Sequence, residues 1–276
     1  MRYRSPQKSN LHTHTTFCDG ADAPEEIVKE AIRQGMEAIG FSGHSYMAYS
    51  PNYSMSIEGT EAYKKEVYRL KEAYKGIIDV YCGIEFDMYS SDDLKGYEYI
   101  IGSFHYFKFG DEYVGFDRSA DEVQRVIDNY FDGDGMRYAK LYYEKLAEMP
   151  KYCPNCDIIG HMDLCAKHIE SRHYFDNGSE TYKRCVEDCI DALAGKVKAF
   201  EINTGGITRG YRATPYPEPF ILRKLKEHGC SVTISSDCHN NQYLNYGFDH
   251  CLDLVRECGF KEVLKLTPKG FELFPI

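Results

Sequence analysis

His12 and His14 lie two residues apart near the start of the chain, and Asp19 follows five residues after the second histidine. In an extended strand, side chains two residues apart point the same way, so both imidazoles can face one point. Imidazole nitrogens and carboxylate oxygens are common metal ligands. Two histidines at this spacing also occur on solvated strands, so a metal site is predicted only if other parts of the chain supply further ligands.

Side chains of the same types recur where other short apolar runs end. Such runs are typical of buried strands, and a random distribution would not place ligand-type residues at their ends so consistently. The predicted strands and these residues are 38–42 with His44, 77–84 with Glu85 and Asp87, 97–104 with His105, 157–161 with His161, and 231–235 with Asp237 and His239. A further predicted strand, 197–203, leads into the glycine-containing loop 204–210.

Helical patterns separate these predicted strands. One helix begins at 22–26 and ends at Gly35, and the others cover 60–74, 119–131, 136–149, 180–194, 219–228 and 248–258, with a hairpin at 106–116 and a closing strand at 263–266. Alternation of strand and helix predicts a parallel β/α architecture, and chemistry in such barrels collects where the strands end. We find no linker, low-complexity tract or repeat, so the sequence predicts one domain over residues 1–276.

The ligand-type residues are too many for one metal ion. The candidates are His12, His14, Asp19, His44, Glu85, His105, His161, Asp237 and His239. A tetrahedral site takes four ligands, so nine nitrogen and oxygen ligands predict two or three divalent metal ions.

Charge and apolar content limit the partners of such a site. The chain of 276 residues has a formal net charge of −10 and no lysine- and arginine-rich run with interleaved aromatics, so we expect no nucleic-acid partner. No apolar stretch is long enough to span a bilayer, and the first ten residues lack the apolar core of a signal peptide, which predicts a cytoplasmic protein. A small anionic substrate remains compatible with this charge, because bound metal would attract it.

The cysteines favour a reducing compartment. There are eleven, scattered without the regular spacing of a disulfide framework. Cys153 and Cys156 have the spacing of a redox pair or of half a zinc site, but no second pair completes a structural zinc site. We therefore expect a loop with two thiols there, and the sequence leaves their role open.

Six short motifs occur in one order along the chain. They are His12-Thr13-His14, Gly43-His44, Gly83-Ile84-Glu85, Ser103-Phe104-His105, Gly160-His161-Met162-Asp163 and Ser236-Asp237-Cys238-His239. Through these motifs and their order, the chain resembles the PHP (polymerase and histidinol phosphatase) family over nearly its whole length. The resemblance implies an α/β fold, a distorted (β/α)7 TIM-like barrel with a metal cluster at the C-terminal ends of the strands.

The resemblance also implies how the ligands divide and what they do. The metals would be zinc, manganese or iron, and they would lower the pKa of a bridging water so that hydroxide attacks a phosphoester. Glu85, Asp237 and His239 would be the catalytic residues of this cluster. One metal would be held by His12, His14, Glu85 and Asp237, a second by Glu85, His105 and His161, and a third by Asp19, His44 and His239.

Within the family, the length of the chain and the segment Glu201-Ile202-Asn203-Thr204-Gly205-Gly206-Ile207-Thr208-Arg209-Gly210 resemble the monofunctional histidinol-phosphatase branch. This resemblance implies hydrolysis of L-histidinol phosphate to L-histidinol and phosphate in histidine biosynthesis, with Arg209 binding the phosphate. Many such members carry an arginine after Gly-His-x-Asp, and here Lys167 or His168 would take its place. The alternatives are a PHP hydrolase of another small phosphate, such as a nucleoside monophosphate or a phosphodiester, and a non-catalytic metal-binding module.

Some neighbours of the ligands have expected supporting roles. Asp87 and Asp163 are expected to orient histidines, with direct contact to the substrate as the alternative for each. The long loop 45–59 is a possible lid, and its Tyr46 and Tyr49 are candidates for the wall of a pocket. The sequence leaves open whether this loop closes, and it leaves the oligomeric state open as well.

Overall fold

The computed structural model describes residues 8–276 and has eleven strands in that part of the chain. They are β1 Ser9–Asn10, β2 Ala38–Phe41, β3 Asp79–Asp87, β4 Tyr99–Ser103, β5 Tyr106–Phe109, β6 Glu112–Gly115, β7 Ile158–Ile159, β8 Ala199–Asn203, β9 Val232–Ser235, β10 Glu262–Thr267 and β11 Gly270–Pro275. Seven of them form one parallel sheet in the order β1-β2-β3-β4-β7-β8-β9. A parallel bridge between Thr13 and Cys238 links the two edges of this sheet. The sheet is therefore a nearly closed barrel, and the predicted fold class is confirmed.

Helices connect the strands of the barrel. They are α1 Pro24–Arg33, α2 Ile57–Ala73, α3 Ala120–Tyr130, α4 Gly135–Leu146, α5 Met149–Tyr152, α6 Glu180–Leu193, α7 Gly205–Thr208, α8 Pro219–Glu227 and α9 Phe248–Glu257. Serine side chains cap the first turns of three of them, because the hydroxyls of Ser56, Ser119 and Ser179 accept backbone N–H donors that have no partner inside the helix. Helix α1 begins instead at Pro24, where the absence of an N–H costs nothing.

The barrel strands have two buried faces. Along β4, Tyr99 and Ile101 belong to a small cluster inside the barrel, whereas Ile100, between them, packs in the large cluster under the helices. The pair Ile158 and Ile159 in β7 divides in the same way. Because side chains alternate along a strand, the sequence needs apolar residues at almost every strand position to fill both layers.

The two-stranded antiparallel sheet β10–β11 closes one end of the barrel. Its Leu266 packs in the inner cluster with Ala38, Tyr99 and Ile158, which are the first residues of β2, β4 and β7. The hairpin therefore covers the N-terminal ends of the strands and leaves the C-terminal ends free. The sequence predicted β10 as a short closing strand, but it did not predict β11.

Two strands differ from the prediction in ways that matter for the ligands. Strand β1 ends at Asn10, so His12 and His14 follow it in extended backbone that is held by hydrogen bonds to Cys238. Strand β3 continues to Asp87, because its last residues pair with β4, and Glu85 therefore lies within the strand and not after it. The side chains still alternate, so Tyr81, Gly83 and Glu85 occupy the same side of β3.

Within residues 8–276, no helix is long and apolar enough to cross a membrane. The expectation that the first ten residues lack a signal peptide concerns mainly residues 1–7, which lie outside the described part of the chain.

Tyr99 ties several strands together inside the barrel. Its hydroxyl donates to the carbonyl oxygens of Leu11, at 2.5 Å, and Phe41, at 2.9 Å. The ring lies against the backbone of Gly83, where an added Cβ would stand 2.2 Å from Cζ of the tyrosine. Only glycine leaves room for this ring at that position of β3.

We predict that Gly83→Ala destabilises the protein by about 3 kcal/mol, because the methyl group has to displace a hydrogen-bonded ring from a packed interior. Denaturant unfolding of the metal-free protein measures the change. Gly178→Ala is the matched control, since its added Cβ meets only the Asp176 carboxylate, at 3.2 Å, and we expect a change within about 0.5 kcal/mol. Equal stability of both variants would contradict the packing described here.

Candidate metal centre

The nine ligand-type side chains meet at the C-terminal end of the barrel. They come from six separate segments of the chain and fall into three overlapping groups, within each of which the possible ligand atoms lie no more than 4.8 Å apart. The groups are His14 with Asp19, His44 and His239; His12 with His14 and Asp237; and Glu85 with His105 and His161. This grouping resembles the predicted division with two differences: His14 also reaches the residues expected to hold the third metal, and Glu85 is absent from the group of His12, His14 and Asp237. The assignment of each residue to one metal stays a prediction.

Glu85 lies at the middle of the cluster. Its Oε1 is 2.9 Å from Nε2 of His161, and its Oε2 is 2.8 Å from Nδ1 of His44. Nε2 of His12 lies 3.4 Å from the same Oε2. The imidazoles of His14 and His105 lie slightly farther from this carboxylate, at 3.5 and 3.6 Å. One carboxylate therefore faces five histidines from both of its oxygens, which is the arrangement that a bridging ligand needs.

Several ligand atoms in this cluster are buried without a hydrogen-bond partner. They are Nε2 of His12, Nε2 of His14 and Oε2 of Glu85. Buried polar atoms without partners are rare, because the loss of their hydrogen bonds to water destabilises the folded protein. Two imidazole nitrogens and one carboxylate oxygen that face each other suit divalent cations, so the residues present fit metal binding.

Glu201 fixes the orientation of His12. Its Oε1 lies 2.5 Å from Nδ1 of His12 and also accepts the hydroxyl of Ser235, at 2.5 Å. Its Oε2 accepts the backbone N–H of His161 and the amide of Asn203. A hydrogen bond at Nδ1 leaves Nε2 of His12 free for the cluster. The sequence analysis missed this role, although an acid between the apolar residues Phe200 and Ile202 of a predicted strand was a usable signal.

The two aspartates expected to orient histidines differ in what they contact. Asp87 accepts from Nδ1 of His105, at 3.2 Å, as expected. Asp163 contacts no histidine side chain in the described chain; its Oδ2 accepts from Nη1 of Arg212, at 2.8 Å, and from the backbone N–H of Glu218. The expectation for Asp163 was therefore wrong, because a buried arginine from a segment 49 residues later occupies its carboxylate.

The charges of the cluster shift one another's pKa values. Burial opposes a charge on His12, but the carboxylates of Glu201, Asp237 and Glu85 outweigh it and raise its pKa from 6.5 to about 10. In the same way, burial opposes a charge on His44, but Glu85 and Asp19 raise its pKa to about 10. Burial alone would raise the pKa of Glu85, whereas the surrounding histidines hold it well below its ordinary value.

A cavity of about 500 Å³ opens over the cluster. Seven of the nine ligand-type residues line it, and only His12 and His14 lie deeper. Its remaining wall includes Tyr53 and Tyr106 on one side and Arg209, Tyr211 and Lys167 on another. A small molecule in this cavity would contact the cluster directly.

Arg209 lies in the cavity wall beside two candidate ligands. Its Nη2 is 2.8 Å from Oδ2 of Asp237, and its Nη1 is 2.9 Å from Nδ1 of His239. Burial opposes its charge, but Asp237 outweighs this effect and raises the pKa of the guanidinium, so it stays charged. The structure thus brings Arg209 to the cluster.

Of the two residues expected to replace the missing arginine, the structure brings only Lys167 to the cavity. Its Nζ donates to Oδ2 of Asp117, at 3.1 Å, and lies over the ring of Tyr211. His168 is not part of the cavity wall; its Nε2 lies 3.1 Å from the carbonyl oxygen of Asp117. Both residues therefore contact Asp117, Lys167 at its carboxylate and His168 at its backbone carbonyl. Asp117 itself lines the cavity and was missed, because it lies after the hairpin β5–β6 and does not follow a predicted strand of the barrel.

The CxxC pair lies apart from this centre. Cys153 and Cys156 are buried, and no metal-type group of three side chains within residues 8–276 includes them. All eleven cysteines are free thiols. The expectation of a loop with two thiols agrees with this placement.

Comparisons with known proteins agree with this geometry. The sequence pattern that defines the PHP domain matches residues 10–205. The protein named "Probable histidinol-phosphatase" of Deinococcus radiodurans is 25% identical over 91% of this chain and 94% of its own length. The "Histidinol-phosphatase" of Bacillus subtilis is 23% identical over 90% of this chain and 99% of its own.

Two solved structures share the fold. One, from Listeria monocytogenes, aligns with a TM-score of 0.76 at 19% identity over 88% of this chain and 99% of that one. The other is the histidinol phosphate phosphatase of Lactococcus lactis in complex with zinc, L-histidinol and phosphate, with a TM-score of 0.71 at 21% identity over 96% of this chain and 99% of that one.

The raised pKa values predict opposite effects of pH on the metal-free and metal-bound protein. Stability that protonated His12 and His44 contribute is fully present below pH 6.5 and is lost as the pH rises towards 10, whereas Glu85 stays ionised over this range. Metal binding needs neutral imidazoles, so it strengthens as the pH rises. We therefore expect the Tm of the metal-free protein to fall from pH 6.5 upward, while the rise in Tm caused by zinc grows.

Thermal unfolding in chelator and in chelator-buffered zinc, at several pH values, measures both trends. A zinc-induced rise in Tm that shrinks with increasing pH would contradict metal binding at these histidines.

Proposed function

Because the chain belongs to the PHP domain family, we propose that it is a metal-dependent phosphomonoesterase that hydrolyses L-histidinol phosphate to L-histidinol and phosphate in histidine biosynthesis. The observation that carries this proposal is the cluster of nine ligand-type side chains on the floor of one cavity, with buried ligand atoms that have no partner. The names of the relatives that cover nine tenths of the chain support the substrate.

The cofactors in this proposal are two or three divalent ions, zinc, manganese or iron. The zinc in the related Lactococcus lactis structure supports zinc among them. The three groups described above would hold the ions, and Glu85, Asp237 and His239 are the residues of this cluster to which we assign catalytic roles. When bound, the ions supply Lewis acidity and lower the pKa of a water molecule, which serves hydrolysis of a phosphoester at neutral pH.

The side chains of the cavity wall would bind the phosphate. Arg209 presents a planar guanidinium that can donate two parallel hydrogen bonds to phosphoryl oxygens, and Lys167 adds a second positive charge. Both now donate to carboxylates, Asp237 and Asp117. With Asp237 engaged as a metal ligand, Arg209 would be free to turn its donors to the substrate.

An acidic side chain in the same cavity supports a substrate that carries a cation. Oε2 of Glu122 is buried without a hydrogen-bond partner, and Glu122 lines the cavity together with Asp117. A shielded carboxylate oxygen of this kind is stabilised by an ammonium or imidazolium group. L-histidinol phosphate carries an ammonium group beside its phosphate, whereas a nucleoside monophosphate brings no such cation.

Other properties of the chain follow as part of the proposal. We propose that residues 1–276 form one PHP-type domain and that the protein is cytoplasmic, which the free thiols of all eleven cysteines support. The acidic balance of the chain, with a net charge of −10, is unfavourable for a nucleic-acid partner.

The test is phosphate release from L-histidinol phosphate beside phosphoserine, AMP and an aryl phosphate, with protein reconstituted separately with zinc, manganese and iron. We expect kcat/KM for L-histidinol phosphate to exceed that for the other substrates by about a hundredfold or more. Glu85→Gln, which removes the central charge at nearly constant volume, should abolish turnover of every substrate.

Two outcomes would overturn this proposal. Equal, slow rates on all four substrates would exclude L-histidinol phosphate as the substrate. Bound metal without turnover of any phosphoester would exclude the phosphatase and favour a non-catalytic metal-binding module.

For Arg209→Ala we expect KM for L-histidinol phosphate to rise by about ten- to a hundredfold with a smaller change in kcat, because two charge-assisted hydrogen bonds to the phosphate are lost. Arg209→Lys keeps the charge without the planar fork and should lie between this variant and the wild type. Steady-state kinetics at saturating metal measure both variants. An unchanged kcat/KM in Arg209→Ala would remove Arg209 from the substrate site.

A further inference from the structure

Tyr49 connects the long loop before α2 with the hairpin β5–β6. Its ring stacks on that of Tyr113 at a centroid distance of 3.9 Å and an angle of 2°, and it meets the ring of Tyr106 edge-on at 5.0 Å. The hydroxyls of Ser50 and Tyr106 lie 2.7 Å apart and form a second link between the same two segments. The position of Tyr49 is therefore fixed from two sides.

The hydroxyl of Tyr49 reaches past this stack to a buried carboxylate. It donates to Oδ1 of Asp87 at 2.6 Å, the shortest of four contacts that this carboxylate accepts. The backbone N–H of Tyr89 donates to the same oxygen at 3.1 Å. Oδ2 accepts from His105, from its backbone N–H at 3.3 Å and from Nδ1 at 3.2 Å. Each oxygen of Asp87 therefore has two partners, and the carboxylate cannot rotate without losing some of them.

His105 links the Asp87 carboxylate to the ligand cluster. A proton on Nδ1, donated to Asp87, leaves Nε2 as the free lone pair, and Nε2 faces Oε1 of Glu85 at 3.6 Å. The orientation of the ring follows the orientation of the Asp87 carboxylate, since a hydrogen bond at one nitrogen sets the direction of the other.

We propose that Tyr49 is a positioning residue for the metal centre, whose hydroxyl fixes the Asp87 carboxylate that orients His105. The proposal rests on the metal centre of the proposed function, but not on its substrate. Tyr49 touches neither a ligand nor the reacting atoms, so it acts on metal binding through Asp87. It follows that the affinity for metal depends on how the loop and the hairpin lie against each other.

Tyr49→Phe removes the hydroxyl and keeps the stacked ring, and Tyr113→Phe is the matched control, because it makes the same change on the other ring of the stack. The measurement is zinc affinity of the full chain by competition with a chromophoric chelator, together with the rate of zinc loss into excess chelator. For Tyr49→Phe we expect about tenfold weaker binding of one zinc ion and correspondingly faster loss, as for other outer partners of ligating histidines. For Tyr113→Phe we expect wild-type values.

Two further measurements separate this role from a general loss of stability. The metal-free Tyr49→Phe protein should have a lower Tm than Tyr113→Phe, because the buried Asp87 carboxylate loses one hydrogen bond, but it should stay folded at the assay temperature, and its kcat should return towards the wild-type value at saturating zinc. In a double-mutant cycle with Asp87→Asn, Tyr49→Phe should weaken zinc binding little further, because both changes disrupt the same hydrogen bond between Tyr49 and Asp87.

Equal zinc affinity in Tyr49→Phe, Tyr113→Phe and the wild type would overturn the proposal, and so would effects of Tyr49→Phe and Asp87→Asn that simply add. Apart from kcat, these measurements use no phosphorylated substrate, and the zinc affinities alone decide the proposal. The proposal can therefore fail while the proposed phosphatase activity holds, and it can hold while L-histidinol phosphate proves to be the wrong substrate.

Discussion

The Glu85 carboxylate, buried among five histidines, is the interaction on which the rest of the structure depends. Taking an ionised carboxylate out of water costs several kcal/mol unless charges and hydrogen bonds replace its hydration. Here that replacement comes from histidines of four other segments, and His44, His12 and His161 among them hold the pKa of Glu85 well below its ordinary value. Without a cation, the histidines themselves must carry the compensating protons, and Nε2 of His12 and His14 still lack partners. Bound divalent ions would give these atoms the partners they lack.

The two ends of the barrel differ: one is covered by a hairpin, and the other carries the cluster around Glu85. The hairpin β10–β11 covers the end where the strands begin, and the ring of Tyr99 with its two hydrogen bonds fills the interior behind it. Because side chains alternate along β3, Tyr81, Gly83 and Glu85 all face the inside of the barrel. The first two belong to its packed interior, and Glu85 lies in the charged cluster at its C-terminal end. Around that cluster, buried acids such as Glu201 and Asp87 hold the imidazoles in place.

Much of this site could be predicted from the sequence, because its ligands follow short apolar strands whose ends are easy to recognise. His44, His105 and His161 were found in that way. Glu201 was missed, since its place between two apolar residues of a strand does not reveal its partner, His12, which lies 189 residues away. The pairing of Asp163 with Arg212 is likewise a matter of tertiary packing. Strand β11 was missed although its residues alternate after a Pro-Lys turn, and the different placements of Lys167 and His168 depend on one short turn.

The central claim of this account is that these side chains hold a cluster of metal ions at the C-terminal end of the barrel. The most direct test is anomalous X-ray diffraction from crystals of the zinc-reconstituted protein, measured on both sides of the zinc absorption edge. The account predicts two or three zinc peaks in the cavity, each at about 2.0–2.2 Å from nitrogen or oxygen atoms of the three groups, with Glu85 between two of them. No peak in the cavity, or zinc bound only at Cys153 and Cys156, would contradict it.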